Sequence, residues 1–147
     1  MGNINVSRVI LGGIVAGIVA NVFSYIVDGV ILAPQWAAGM KALGKSDFTT
    51  NQILGFLALG LASGVFTIWL YAAIRPRYGA GPKTAVFAGV AAWFAGALLP
   101  NVAFMSVVGL YAADLTTMTT IGGLVGSIAG ALAGAALYQE GAAAATT

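Results

Sequence analysis

Four apolar runs of about twenty residues each dominate the chain, and they constrain its fold more than any other feature. At 1.5 Å per residue, a helix of about twenty residues crosses the roughly 30 Å hydrocarbon core of a bilayer. The runs place transmembrane helices over 9–32, 52–74, 84–112 and 118–138, so the fold class expected is all-α, a polytopic integral membrane bundle of four transmembrane helices. Together they occupy more than half of the 147 residues. What remains is short connections, and the chain reads as a single membrane domain over 1–147. Only 7% of its residues are charged, against about 25% in an ordinary soluble domain. Cys and His are both absent. This composition gives no support to thiolate chemistry, disulfides, histidine-bound haem or the usual zinc sites, and no cofactor is expected.

The last run carries a second constraint. In Thr119 to Tyr138 the glycines Gly122, Gly126, Gly130 and Gly134 recur every fourth residue. In water each interior glycine costs a helix about 1 kcal/mol relative to alanine. In lipid the backbone must satisfy itself, so the segment stays helical and its glycines offer a flat surface to a neighbouring helix. Successive ladder positions drift by about 40° around the axis, which suits a crossing partner. A flexible Ala/Gly linker is the competing reading, but Ile121, Leu124, Val125, Ile128 and Leu132 interrupt the run and no enrichment in Ser, Pro or charge accompanies it. Gly13 and Gly17 in the first span are likewise four apart, beside a row of Gly12, Ala16 and Ala20. That row matches Gly122, Gly126 and Gly130 at a constant offset of 110 residues, a likeness that shared packing demands explain better than duplication. Gly60 and Gly64 give the second span the same spacing. The expected helix-packing positions are therefore Gly13, Gly17, Gly60, Gly64, Gly122, Gly126, Gly130 and Gly134.

The connections mark the membrane surfaces. Asn21, Ser24, Tyr25 and Asp28 lead from the first run into more apolar sequence, unlike the cleavage region of a signal peptide. Pro34 and Trp36 end the first span at an interface, and Ala37 to Asn51 reads as a short surface helix followed by polar caps at Ser46 to Thr50. Between the second and third spans, Arg75 to Lys83 holds two prolines, two glycines and three positive charges. With Arg8 on the same side, four basic residues face Lys41 and Lys45 on the other, which favours cytoplasmic N- and C-termini. Arg75, Arg77 and Lys83 are expected to meet anionic lipid headgroups. A net charge of +2 from so few groups gives no reason to expect nucleic acid as a partner.

Polar residues within or beside the spans are the candidate sites. Asn21 and Asp28 lie in the first span, Asn101 follows Pro100 in the third, and Asp114 stands beyond it. An ionisable group in lipid is a functional candidate by default, whereas an asparagine more often bridges helices. The topology puts Asp28, Asn101 and Asp114 at one side, the only polar constellation the sequence offers. Pro100 removes a backbone donor, so a kink is expected near Gly96. Asp114 to Thr117 reads as a short turn capping the last helix, Met105 as a core filler, and the tail from Gln139 to Thr147 as peripheral.

Ile4-Asn5 before the first span, Pro34-Gln35-Trp36 with Met40-Lys41-Ala42-Leu43-Gly44 after it, and the short basic loop give the chain a pattern that resembles a group of small bacterial four-helix membrane proteins of uncharacterised function. The resemblance implies a bacterial inner-membrane location and carries over no catalytic residue. The expected role is that of a non-enzymatic structural or accessory protein. Its glycine-rich faces would join its own helices or partner subunits, in a homo-oligomer or a larger membrane complex. The alternative is a small oligomeric transporter or channel.

Overall fold

The computed structural model describes residues 4–140. It is all-α. Helix α1, Val6–Ser24, runs on through a π-helical segment, Tyr25–Ile31, and the short α2, Ala33–Ala42, follows directly. Helix α3 spans Thr50–Tyr78. Helix α4, Pro82–Trp93, continues through π-helical turns at Phe94–Leu98 and Asn101–Val107, and α5 spans Ala113–Ala136. Four of these rods are long and apolar enough to cross a membrane: Val6–Ile31, Thr50–Tyr78, Pro82–Val107 and Ala113–Ala136. The 26 residues of the first make about 39 Å of helix, more than the roughly 30 Å of hydrocarbon. The protein is a multi-pass membrane bundle.

The helix starts follow local chemistry. The Asn5 side chain accepts a hydrogen bond from the Arg8 backbone N–H at 3.2 Å, capping α1. At α3 a reciprocal capping box forms: Thr49 Oγ1 accepts from the Gln52 N–H, and Gln52 Oε1 accepts from the Thr49 N–H at 2.8 Å. Pro34 and Pro82 sit in the first turns of α2 and α4, where the missing N–H has no intrahelical partner to lose. Gly79 and Gly81 take φ values of +86° and +126° in the loop between α3 and α4, a conformation other residues rarely adopt.

Several boundaries differ from the sequence reading. Helix α3 runs on to Tyr78 with Pro76 inside its last turns, so Arg75 to Tyr78, read as loop, are helical, and the short surface helix is Ala33–Ala42 and does not start at Ala37. The third span leaves the helix after Val107 instead of continuing to residue 112, because the chain turns at Gly109 with φ +72°. Asp114 to Thr117 already belong to α5, whose N-cap is Ala112 with no side-chain cap. The hydroxyls of Thr116 and Thr117 donate back to the carbonyls of Ala112 and Ala113, so they do not cap the N–H groups of the first turn.

Pro100 explains the break in α4. It has no N–H, and the Leu99 N–H bonds to the Phe94 carbonyl, five residues back. The Ala95 carbonyl thereby loses both donors that an α or a π turn would supply. The helix widens on either side of the proline, as π turns do when the ordinary ladder is interrupted.

In the bundle α1 packs against α3 and α5, α4 packs against the same two, and α1 and α4 stand at opposite corners. Contacts between α1 and α5 repeat in antiparallel steps of four: a Cβ on Gly12 would come 2.6 Å from the Gly134 carbonyl oxygen, and one on Gly130 2.5 Å from that of Ala16. Gly126 faces Phe23 and Ala20, and Gly122 faces Val27. On its adjoining side α1 meets α3, where Gly13 lies over Val65, Gly17 over Gly60 and Leu61, and Gly64 against the backbone of Gly13 and Gly17. Backbones this close leave no room for a methyl group. Gly89 of α4 is similarly held against Ser127 and Ala131 of α5.

Two core clusters close the ends. Val9, Ala16, Ile68, Tyr71, Ala72, Ala85, Ala88 and Tyr138 fill the end that carries the α3–α4 loop. Leu32, Met105 and Leu115 fill the other, packed by Val27, Trp36 and Tyr111. The outward faces present Ile53, Leu54, Phe56, Leu59, Phe94 and Phe104, apolar residues suited to lipid.

Candidate functional site at the α2 end of the bundle

The site forms where the π-helical end of the first rod, α2 and the first turns of α5 meet. Leu32 is 1% exposed and breaks the helix between Ile31 and Ala33, so α2 turns back over the bundle. This brings Trp36 over Asp28. The Trp36 Nε1–H donates to Asp28 Oδ1 at 3.3 Å, and the Thr119 hydroxyl of α5 donates to the same oxygen at 2.8 Å. Asp28 therefore ties three elements together through one of its two oxygens. Such donors offset part of the cost of holding a carboxylate at the edge of the hydrocarbon.

Thr120, the next residue of α5, ties in α4. Its hydroxyl accepts from Asn101 Nδ2 at 3.0 Å and donates to the Thr116 carbonyl at 2.6 Å, while its own carbonyl accepts from Trp93 Nε1 at 2.9 Å. About two turns deeper, the Ser127 hydroxyl donates to the Gly89 carbonyl at 2.8 Å. The polar side chains inside the bundle thus bond mainly to one another and to helix backbone.

Of the four polar positions read from the sequence, Asp28 and Asn101 come together on neighbouring threonines of α5. Asp114 does not join them. It is exposed in the first turn of α5 and lines an open groove of about 600 Å³ with Gln35, Gly39 and Tyr111. Asn21 lies elsewhere, on the α1–α3 seam, where its Nδ2 donates to the Leu57 carbonyl at 3.1 Å and its carbonyl oxygen lies against Gly60. Among the described residues no group of three Asp, Glu, His or Cys side chains gathers as a metal site would require.

The sequence reading missed the partners. Thr119, Thr120, Trp36 and Trp93 supply the hydrogen bonds, and the signal that could have found them is the run Thr116-Thr117-Met118-Thr119-Thr120, four hydroxyls within two turns of an otherwise apolar helix.

At the opposite end the basic residues are not equivalent. Arg75 forms an ion pair with Glu140 at 3.5 Å and lies over the Tyr138 ring at 5.6 Å. Tyr138 is itself buried, edge-on to Tyr71, with its hydroxyl accepting the Asn5 N–H at 3.3 Å. The beginning of the tail, Gln139 and Glu140, is thus drawn onto the bundle, and 141–147 lie outside the described residues. Arg77 stands exposed at the end of α3, and Lys83 stands exposed in the first turn of α4.

No protein-family model, curated protein or solved structure matches the chain. The site is therefore read from its own geometry. It can fasten helices to one another, and among the described residues one oxygen of the Asp28 carboxylate has no protein donor.

Proposed function

We propose that the protein is a non-enzymatic structural or accessory component of a bacterial inner membrane, with both termini in the cytoplasm. The observation that carries this reading is the backbone-close packing of α1 against α3 and α5, which fills the middle of the bundle with glycine and alanine. Gly13, Gly17, Gly60, Gly64, Gly122, Gly126, Gly130 and Gly134 act as a glycine zipper within one chain, so a partner subunit or a second copy would meet the outer apolar faces instead. Membrane lipids cover whatever such partners leave free. The proposed orientation rests on Arg8, Arg75, Arg77 and Lys83 at one end of the bundle against Lys41 and Lys45 at the other. Arg77 and Lys83, free of the pairing that engages Arg75, are the better candidates for anionic headgroups. The bacterial four-helix group that the sequence resembles is compatible with this reading.

Mild detergent extraction of native membranes, followed by affinity purification and mass measurement, tests the proposal. A stoichiometric larger membrane complex is the expected result. A clean homo-oligomer that passes ions or small solutes in liposomes would overturn it. That outcome is the transporter reading, which one observation favours: Asp28 is an ionisable group on a π-helical segment within a span, a setting often found at functional sites. On the transporter reading Asp28→Asn lowers flux while assembly survives; on the reading proposed here there is no flux to lose.

A further inference from the structure

We infer that α2 is a strap fastened across the end of the bundle, and that Asp28 is its positioning residue, acting as a hydrogen-bond acceptor through a single oxygen. Two features of the geometry carry this. Both donors, Trp36 Nε1–H from the strap and the Thr119 hydroxyl from α5, converge on Oδ1. No Lys or Arg among the described residues forms an ion pair with Asp28, the recorded pair being Arg75 with Glu140 at the other end. A carboxylate kept for acceptance is met by neutral donors, as here.

The rest of the strap is held by apolar contact and by one weak hydrogen bond, from the Tyr111 hydroxyl to the Met40 sulfur. Trp36 packs edge-on to Tyr111 at 5.0 Å and to Phe48 at 5.9 Å, and Met40 is 5% exposed with its sulfur 3.8 Å from the Tyr111 hydroxyl. The strap enters at Leu32 and leaves through Gly44, where φ is +69°. Between those two points Asp28 is its hydrogen-bonded attachment to the first rod and, through Thr119, to α5. An amide retains the oxygen that both donors use, so Asp28→Asn keeps the fastening. Asp28→Leu removes the acceptor and leaves two donors without a partner.

The chain has no cysteine, so a single introduced thiol reports on the strap against a clean background. With Met40→Cys in lipid nanodiscs, where both faces are accessible, labelling by a water-soluble maleimide is slow in the parent. It should rise about tenfold with Asp28→Leu, the scale of losing one to two net hydrogen bonds, and stay within about twofold with Asp28→Asn. A thiol at Ala88, 0% exposed in the other core cluster, should stay protected in both. Unchanged labelling in Asp28→Leu would overturn the inference, as would equal acceleration by Asp28→Asn, which would make charge the requirement. Loss of protection at residue 88 would overturn it too, because Asp28 would then hold the whole bundle and not the strap. Should Asp28→Leu fail to accumulate, Trp36→Phe combined with Thr119→Val deletes both donors and leaves the carboxylate. That pair must also release residue 40, and no release would sink the proposal.

Discussion

At the residue scale, the glycines are not interchangeable, and the neighbour that each Cβ would meet ranks them. Gly130 faces the Ala16 carbonyl, a backbone atom that cannot step aside, whereas Gly126 meets the Phe23 side chain at 3.0 Å and Gly55 meets nothing within 4 Å. Thermal unfolding in detergent should therefore order the alanine variants Gly130 below Gly126 below Gly55. Gly130→Leu is expected to be destabilised by about 1–3 kcal/mol or more through overpacking, while Gly55→Leu should match the parent. An equal, negligible loss at all three would place these helices further apart than described. The Arg75 and Glu140 pair belongs at the other extreme. Its two side chains are 22% and 37% exposed, and such pairs contribute about 0–1 kcal/mol. Glu140→Gln should hardly move the midpoint, and a large fall would mean that the pair is better shielded than its exposure indicates.

At the element scale, the four spans were legible because length and apolarity are all that a bilayer asks of a helix, and residues such as Thr49, Pro82 and Gly79 mark their ends by local chemistry. The strap was legible only as a short surface helix, since nothing in Ala33 to Ala42 says which way it folds; that depends on Leu32 finding a pocket and Trp36 finding Asp28. The hydrogen-bonded site was half legible. Asp28 and Asn101 stand out in apolar sequence, but the threonines that receive them look like ordinary helix residues until the register of α4 and α1 against α5 is known. Glu140 was read as part of a peripheral tail because its partner Arg75 is 65 positions earlier, a pairing that only the fold creates. Pro100 gives this scale its own test. Pro100→Ala restores a backbone donor between the two π-helical segments of the third span and should let the rod straighten, lengthening the distance between spin labels at Phe87 and Val107 measured by pulsed dipolar spectroscopy. An unchanged distance would assign the π turns to the packing of α5 and not to the proline.

At the scale of the whole molecule, the first and last residues described lie at the same end, where the Asn5 N–H donates to the Tyr138 hydroxyl. Reporter domains fused at residue 80 and after residue 147 should thus both read cytoplasmic in the proposed orientation, and either one reading outside would reverse it. The close seams also have an order in time. Gly12 leaves the ribosome well before Gly134, yet each fills the space that the other leaves. Until α5 is made, the row at Gly12, Ala16 and Ala20 on the first helix lacks its main partner, with Ile68 of α3 reaching only part of it. A chain cut short before Ala113 would leave that row without its partner in the membrane.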